Sequence, residues 1–537
     1  MHAQAGGFFV STELSEVAKA SAKGSFFLFL GKTSSTTIMA FASILVARLL
    51  GPENYGLYAL AMIAPALLIT LSDLGISPAL IRFSARFRSE GKNLKVLALI
   101  KAGIIFKIIF SMLLSIALIL LSETIATWLL RRPSIWFLIR FTTLYLLGQA
   151  IFMALNSLFI GLDKTENSLI LMNTQATTKA VSSSLLIILG MSVIGATLGA
   201  GLGSLVAAAT GFTILLLRIR PNLQSNNDTE NINFLQALKL MIPYGIPLYL
   251  STITFTLLTQ YRTFILALFA SNMEIGNYTI AMNFSILITL ISYPIATSLF
   301  PAFSKLSAKE DYETVKKMFM LSAKYTALLI IPSILAMALF SEQLIHILYG
   351  LQYQLAPTYL TLYVLSFLCD GLGMFVVGNL FNGQGDTKTT LRVNLTNLSL
   401  SLPVAFILTS HYGVIGLLAS ILTSQFISTT YALYLAHKKY KMTIDLTASI
   451  RTATTSLIST LLTYVLITLT PTPNPILKLA IGAPLFITSF LALAPLLGAI
   501  NRQDIYNLDE LTRGIALIYP IARRILSLES KILSLRS

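Results

Sequence analysis

The stretch LALIKAGIIFKIIFSMLLSIALILL (residues 97–121) decides the fold class, because only two lysines and two serines interrupt its apolar residues. A hydrocarbon core of about 30 Å needs about 20 helical residues to cross it. Backbone groups inside lipid must form hydrogen bonds within their own segment, so an apolar run of this length predicts a helix. A strand of a membrane barrel would instead alternate in polarity over about ten residues. Residues 97–121 do not alternate, and we predict that they span a membrane as an α-helix.

Similar runs recur along the chain and are separated by short polar breaks. The 537 residues are 55% hydrophobic and only 11% charged, whereas a typical soluble domain carries about twice that share of charge. We predict an all-α, polytopic membrane protein with about fourteen transmembrane helices. The predicted spans are 26–50, 57–81, 97–121, 135–160, 169–192, 194–217, 240–269, 278–300, 319–341, 355–380, 391–410, 413–436, 453–470 and 476–500.

Basic residues distinguish the two sides of this membrane. With the N-terminus inside, the inner loops and tails hold most of the Lys and Arg residues, whereas the outer loops hold only Arg131 and Arg132. Cytoplasmic loops carry an excess of Lys and Arg, so we predict that both termini are cytoplasmic and that the protein lies in the cell membrane. The net charge of +16 reflects this orientation rather than binding to nucleic acid. The first apolar run is too long for a cleavable signal peptide.

The sequence also contains an internal repeat at an offset of about 220 residues. The matching pairs are GLYALAM (56–62) with GNYTIAM (276–282), LFIG (158–161) with LFNG (380–383), and VIG (193–195) with VIG (414–416). The repeated unit spans six predicted helices. Because six is an even number, the two copies share one orientation and are related by a two-fold axis along the membrane normal. We predict two parallel six-helix lobes around a central cavity, with the last two helices outside the repeat.

This repeat and the polar breaks define a predicted domain layout. The C-terminal tail combines apolar and basic residues and is predicted to form an amphipathic helix on the inner surface. The segments are a cytoplasmic N-terminal segment (1–24), an N-lobe (25–217), a cytoplasmic linker (218–239), a C-lobe (240–436), two further helices (453–500) and the cytoplasmic tail (501–537).

Several motifs resemble a known family. The motif ARLLGPENYGLY (47–58) is similar to the signature that closes the first helix of polysaccharide-type flippases, which belong to the multidrug/oligosaccharidyl-lipid/polysaccharide exporter superfamily. Further motifs of the same kind are SDLG (72–75), IRF (81–83), PYGIP (243–247) and GNY (276–278). The family often places an acidic residue before the basic one at the position of Tyr261 and Arg262, where this chain has tyrosine. The resemblance implies alternating-access transfer of a lipid-linked oligosaccharide from the inner to the outer leaflet.

Four basic residues lie deep within predicted spans, namely Lys107, Arg140, Lys179 and Arg262. Ionisable groups at membrane depth are costly and usually face a cavity or a partner. We interpret these four residues as part of a cationic cavity that would attract a phosphate or pyrophosphate group or an acidic sugar. Buried pairing or packing is the alternative interpretation for each of them.

Two acidic residues also lie within predicted spans. Asp370 in helix 10 is a candidate for coupling transport to a cation, either Na⁺ or H⁺, and pairing with a neighbouring base is its alternative role. Asp73 is expected to pair with Arg82 or Arg86 in a structural role.

The sequence offers little support for an enzyme. The four histidines are scattered among tails and loops, and the single cysteine, Cys369, excludes an intramolecular disulfide. We find no phosphate-cradling loop and no cluster of metal ligands, so no cofactor is predicted. The expected partners are a lipid-linked glycan, membrane lipids and a coupling cation, and the protein is expected to act as a monomer.

Two alternative functions remain open from the sequence. A cation-coupled multidrug exporter of the same superfamily would typically have twelve helices and an acidic residue in the first lobe's cavity. A membrane-embedded glycosyltransferase or polymerase would normally need a large outer loop or a catalytic acidic motif. The two additional helices and the excess of deep basic residues favour an anionic, lipid-bearing cargo instead.

Overall fold

The computed structural model describes residues 3–224, 232–288, 299, 303–306, 308, 310–469, 474–513 and 519–536. Within these ranges the regular structure is helical, and no strand occurs in them. In chain order the α-helices are α1 (Ala3–Ala61), α2 (Ile63–Asp73), α3 (Ile76–Ser89), α4 (Asn93–Thr124), α5 (Trp136–Gly161), α6 (Thr165–Leu186), α7 (Ser192–Ile214), α8 (Arg220–Gln224), α9 (Phe234–Phe269), α10 (Asn272–Asn283), α11 (Tyr312–Leu339), α12 (Ser341–Tyr349), α13 (Ala356–Leu365), α14 (Phe375–Gly383), α15 (Thr387–Tyr440), α16 (Leu446–Leu469), α17 (Pro475–Leu496), α18 (Arg502–Arg513) and α19 (Tyr519–Arg536).

The prediction of an all-α membrane protein is confirmed. Ten helical segments of the described chain are long and apolar enough to cross a membrane. Three of these segments, Phe26–Ser89, Thr165–Ile219 and Thr387–Tyr440, each contain two of the predicted spans. Residues outside the described ranges occur in the predicted N-terminal segment (1–24), eighth span (278–300), thirteenth span (453–470), linker (218–239) and tail (501–537).

Glycines in the left-handed region separate the spans that share one helical segment. Gly51 has φ 74° between the predicted first and second spans, Gly190 has φ 89° near the end of the fifth, and Gly413 has φ 56° at the first residue of the twelfth. A residue with a Cβ rarely adopts this conformation, whereas glycine does so readily. These breaks reverse or redirect the chain where the sequence offers almost no polar loop.

The contacts divide the chain into two compact units, Met1–Gly276 and Asn277–Ser537. In the first unit, α9 packs against α2, α3 and α4. The sequence repeat assigns that helix to the second lobe, and the lobe boundaries stay a prediction. Two apolar clusters form the core of the first unit, one centred on Leu155 and Phe159 and the other on Leu80 and Met241.

A reciprocal glycine contact in the first unit joins the two copies of the repeated motif. A Cβ added at Gly56 would overlap the carbonyl oxygen of Asn272, and one added at Gly276 would overlap the carbonyl oxygen of Pro52. Both pairs are related by the repeat offset of 220 residues. The residue that one glycine contacts therefore corresponds, in the other copy, to the residue that the other glycine contacts. A local two-fold axis produces such reciprocal contacts.

A second glycine contact joins two other motifs of the first unit. Gly75 belongs to SDLG (72–75) and has φ 79°, which breaks the helix between α2 and α3. Its backbone lies directly against that of Gly245 in PYGIP (243–247), so a Cβ on either residue would overlap the other. The guanidinium of Arg82 lies 4.4 Å from the ring centroid of Tyr244 in the same motif.

The second unit contains the two helices beyond the repeat and the C-terminal tail. Its main apolar cluster is centred on Phe319 and Phe381. The buried face of α16 carries small hydroxyl residues and packs against α11 and α17. Four of these hydroxyls donate to carbonyl groups of their own helix, at 2.7–2.9 Å. They belong to Thr452, Thr455, Ser456 and Ser459.

The tail packs against this unit through an ion pair. Lys324 of α11 lies 2.5 Å from Asp504 of α18. The same carboxylate accepts a hydrogen bond from the backbone N–H of Asn501 at 2.8 Å. Asp504 and Glu529 are both only 2% exposed, and α19 packs against α18 and α17. The two tail helices therefore form part of the folded unit.

Candidate functional site

Lys107 is fully buried and forms an ion pair with Asp73, whose carboxylate also accepts a hydrogen bond from Ser77. The expectation that Asp73 pairs with Arg82 or Arg86 is therefore wrong. Arg86 is thirteen residues farther along the chain, or about 20 Å along a helix, and it pairs with Glu90 instead. A buried ammonium needs a nearby carboxylate, and α2 ends at the right depth to supply one.

Arg140 lies near the start of α5 and its side chain is exposed. Its Nε donates a hydrogen bond to the hydroxyl of Ser122 at 3.0 Å. Its guanidinium lies 4.3 Å from the ring centroid of Trp136, a cation–π distance. Arg140 thus has local partners, in contrast to the unpaired cation that the sequence predicts.

Lys179 of α6 is half-buried and belongs to a polar column within the first unit. Its ammonium is close enough to the Tyr145 hydroxyl to interact electrostatically. One turn along α6, the amide of Gln175 donates to the side-chain oxygen of Gln149 and, at 3.2 Å, to the hydroxyl of Ser204. No acidic side chain of the described chain pairs with Lys179, so its charge remains available to an anion.

Arg262 of α9 is half-buried, and its Nε atom is buried without a hydrogen-bond partner in the described part of the chain. A buried donor without a partner typically costs about 1–3 kcal/mol, and more when the group is charged. No carboxylate among the described residues forms an ion pair with it. The tyrosine at position 261 is consistent with this, because it leaves no acidic residue beside Arg262 in the sequence.

Asp370 begins a π-helical turn, Asp370–Met374, that interrupts the tenth predicted span in the second unit. Gly373 within this turn has φ 105°. The carboxylate is half-buried, and no basic residue in the described ranges forms an ion pair with it. Breaks of this kind in membrane helices expose carbonyl groups that coordinate Na⁺ in transporters. The alternative role of Asp370 in a structural ion pair finds no partner among the described residues, and its role in cation coupling stays a prediction.

The described residues contain no group of three or more His, Cys, Asp or Glu side chains that could hold a metal ion. Among the described residues no acidic side chain pairs with Lys179 or Arg262, and the role of these two cations in binding an anion stays a prediction. Sequence reasoning identified both cations but missed Tyr145 and the glutamine pair beside Lys179. One signal could have found the glutamines, because Gln149 and Gln175 are themselves polar residues inside predicted spans.

Comparisons with known proteins agree with this fold. Residues 21–307 match a family described as "Polysaccharide biosynthesis protein", and residues 247–407 match a family described as MatE. A protein of Haloferax volcanii, described as the probable low-salt glycan biosynthesis flippase Agl15, is 21% identical over 152 residues. That match covers 28% of this chain and 32% of the relative, so the chain spans about a third of the curated relative that it matches.

Two solved structures share the fold over most of the chain. The lipid II flippase MurJ in an inward closed conformation has a TM-score of 0.69 and 16% identity, covering 87% of this chain and 99% of that one. An inward-facing multidrug resistance MATE family transporter of the MOP superfamily has a TM-score of 0.60 and 15% identity, covering 77% and 98%. At such low identity these structures show a common fold, and the chain is a multi-pass membrane protein of that fold.

Proposed function

We propose that this chain, which belongs to the family of polysaccharide biosynthesis proteins, is a flippase for a lipid-linked oligosaccharide. The cargo would pass from the inner to the outer leaflet by alternating access. Its lipid carries a phosphate or pyrophosphate group, which supplies the anion that the cationic residues of the first unit bind. The similarity to Agl15 and to MurJ, both described as flippases, supports this proposal.

The observation that carries the proposal is the buried, unpartnered Nε of Arg262. A guanidinium binds phosphate through parallel N–H···O bonds, so a phosphate oxygen would satisfy this donor. Lys179 would contribute a second positive charge, because it also lacks an acidic partner among the described residues. The polar column of Gln149, Gln175 and Ser204 offers further hydrogen bonds to hydroxyl groups of a glycan.

Lys107 and Arg140 take different parts in this proposal. The ion pair with Asp73 neutralises Lys107, so we assign it to positioning α2 against α4 near the site. Arg140, stacked on Trp136, would contact the cargo only at the outer end of α5. Arg262 and Lys179 would therefore contribute most of the affinity, and Lys107 would not act as a free cation.

Energy for transport would come from a cation gradient acting on Asp370. Its carboxylate at an interrupted helix could bind Na⁺ or H⁺, and the carbonyl groups of the π-turn could complete the coordination. In this proposal the cation binds the second unit and the glycan lipid binds cationic residues of the first. The chain would work as a monomer in the cell membrane, with both termini in the cytoplasm.

A cation-coupled multidrug exporter is the second candidate function. Residues 247–407 match the MatE family and include Asp370. Such an exporter would take cationic or neutral drugs, whereas Lys179 and Arg262 of the first unit have no acidic partner among the described residues. Efflux of a cationic dye by the protein, combined with normal glycan transfer in its absence, would favour this second function.

The direct test is to follow the glycan lipid in cells depleted of the protein. We expect the lipid-linked glycan to accumulate in the inner leaflet, where an impermeant glycan-cleaving or glycan-binding probe cannot reach it. Complementation with Arg262→Gln or Lys179→Gln should restore transfer poorly, with the rate lowered roughly 10- to 150-fold, because each variant loses a charge-assisted contact of about 1.5–3 kcal/mol. Arg262→Lys should be milder than Arg262→Gln, because it keeps the charge and loses only the fork.

The matched control is Lys438→Gln, which removes an exposed positive charge from the end of α15. It should transfer glycan normally, and all variants should be present in the membrane at equal amounts. If Arg262→Gln and Lys179→Gln both transfer glycan at the rate of Lys438→Gln, the proposed anion site is wrong. If depletion leaves the distribution of the glycan lipid unchanged, the proposed function itself is wrong.

A further inference from the structure

A groove of about 460 Å³ in the second unit runs along the first half of α15. The described residues that line it share one face of the helix, since they recur at intervals of three and four. They are Lys388, Leu391, Arg392, Leu395, Thr396, Ser399 and Leu400. Basic residues lie at the beginning of this face, and leucines and hydroxyl residues follow them along the helix.

The repeat shows that this face is a helix-packing surface in the other copy. At an offset of 222 residues, Leu391 corresponds to Leu169 of α6. In the first unit that face is covered by α1, because a Cβ added at Gly31 would lie 2.9 Å from the Cα of Leu169. The repeat counterpart of α1 is α9, which belongs to the first unit. In the second unit the corresponding face is open, with Leu391 58% and Leu395 46% exposed.

The two cations at the beginning of the groove have no acidic partner in the described ranges. Lys388 and Arg392 are both exposed and lie one helical turn apart, so their charges address the same space. The nearest acidic residue in the sequence, Asp386, is already bound by Lys439 at 2.7 Å and by the hydroxyl of Thr389 at 2.7 Å. The pair is therefore open to an anion from outside the protein.

The rest of the groove suits an amphiphile rather than a soluble anion. Exposed Leu391 and Leu395 extend from the cations towards the middle of the span, where they would contact acyl chains. Thr396 and Ser399 lie on the same face beyond Arg392, and the hydroxyl of Thr396 bonds to the carbonyl of Arg392 at 2.9 Å. Paired cations at one end of a face with exposed leucines match the anionic head and the acyl chains of a membrane phospholipid.

We propose that this groove binds an anionic glycerophospholipid of the inner leaflet, with its phosphate between Lys388 and Arg392. The charge distribution of the loops places this end of α15 on the inner side, where anionic lipids attract basic segments by about 1 kcal/mol per Lys or Arg. The lipid fills the face that a helix covers in the other repeat. It is thus a structural ligand of the second unit, distinct from the glycan lipid bound by the first.

The test is native mass spectrometry of the delipidated full-length protein titrated with phosphatidylglycerol and, separately, with phosphatidylethanolamine. The protein should bind one phosphatidylglycerol more tightly than phosphatidylethanolamine. In Lys388→Gln/Arg392→Gln the affinity for phosphatidylglycerol should fall by roughly 30-fold, as expected for two contributions of about 1 kcal/mol each. Leu395→Asn should weaken both lipids alike, because it removes apolar contact without removing charge.

The matched control is Lys438→Gln/Arg451→Gln, which removes two exposed charges from the same unit. Equal phosphatidylglycerol affinity in the two double variants would overturn the proposal. So would displacement of the bound lipid by millimolar inorganic phosphate, which would indicate a site for soluble anions. A titration of the Lys388→Gln/Arg392→Gln variant with polyprenyl phosphate covers one further outcome. If this variant loses polyprenyl phosphate binding and keeps phosphatidylglycerol binding, the groove belongs to the transported lipid and the proposal is wrong. None of these measurements requires glycan transfer, so they are independent of the proposed function.

Discussion

The backbones of Gly75 and Gly245 are in direct contact, and neither residue leaves room for a Cβ. Gly245 lies within α9 and has no positive φ, so its requirement for glycine is purely one of space. We expect Gly245→Ala to destabilise the protein by about 1–3 kcal/mol, the usual cost of overpacking. Thermal unfolding in detergent measures this change.

The matched control is Gly378→Ala, because a Cβ at Gly378 would meet no atom within 4 Å. Gly378 lies within α14, where alanine is the better helix former. That variant should therefore unfold at the same or a slightly higher temperature. Equal unfolding temperatures for the two variants would show that the contact at Gly245 is looser than the structure indicates.

The ion pair of Lys107 with Asp73 predicts strong non-additivity. Asp73→Asn leaves a fully buried ammonium without its partner, which should cost about 3–5 kcal/mol and reduce the amount of folded protein in the membrane. Removing both charges in Asp73→Asn/Lys107→Met should restore most of that amount. A double variant that folds as poorly as the sum of the single variants would contradict the pairing.

Docking of the C-terminal tail should depend on pH. Burial, together with the negative charge of Asp504, raises the pKa of Glu529 from 4.5 to about 7. Because this pKa is raised in the folded state, the docked tail is fully stable below pH 4.5 and loses stability as the pH rises through 7. The loss is on the order of 3 kcal/mol at 1.36 kcal/mol per pKa unit.

A spin label at Ser530→Cys, in a Cys369→Ala background, would report this change. We expect the label to become more mobile between pH 6 and 8, because the deprotonated carboxylate of Glu529 repels that of Asp504. Glu529→Gln should keep the label immobile over the whole range. Mobility that changes equally with pH in the Gln variant would assign the transition to another group.

Cysteine labelling tests the predicted topology. Cys369 is buried and is the single cysteine of the chain, so Cys369→Ala gives a background without thiols. Ser134 and Ser89 are both exposed on opposite predicted sides of the membrane. In intact cells an impermeant maleimide should label Ser134→Cys and leave Ser89→Cys unlabelled. The reverse pattern would invert the topology and place the N-terminus outside.

The fold follows from the sequence because membrane-spanning helices require long apolar runs. The break at Gly413 falls on the first residue of the predicted twelfth span, and both glycine contacts fall on motifs that the sequence singles out. The joined helical segments could not be foreseen in the same way. Hydropathy shows which runs of residues are long enough to cross the membrane. It does not show whether two consecutive runs join in one helical segment, because that depends on the backbone dihedral angles at residues such as Gly190.

The candidate site could be predicted only as a set of residue types. Lys107 and Arg262 look alike in the sequence, since each is a single basic residue in an apolar run. The structure distinguishes them, because Asp73 ends its helix beside Lys107 while no described carboxylate reaches Arg262. Which charge is neutralised depends on contacts between helices that are far apart in sequence, and hydropathy carries no such information.

The hydroxyl face of α16 has a consequence for how this helix can move. Four of its buried hydroxyls are bonded to carbonyl groups within the helix itself. A shift of α16 along α11 or α17 therefore breaks none of these four hydrogen bonds. The close contact of Ile467 of α16 with Gly482 of α17 is steric, so packing rather than hydrogen bonding by these hydroxyls fixes the position of the helix.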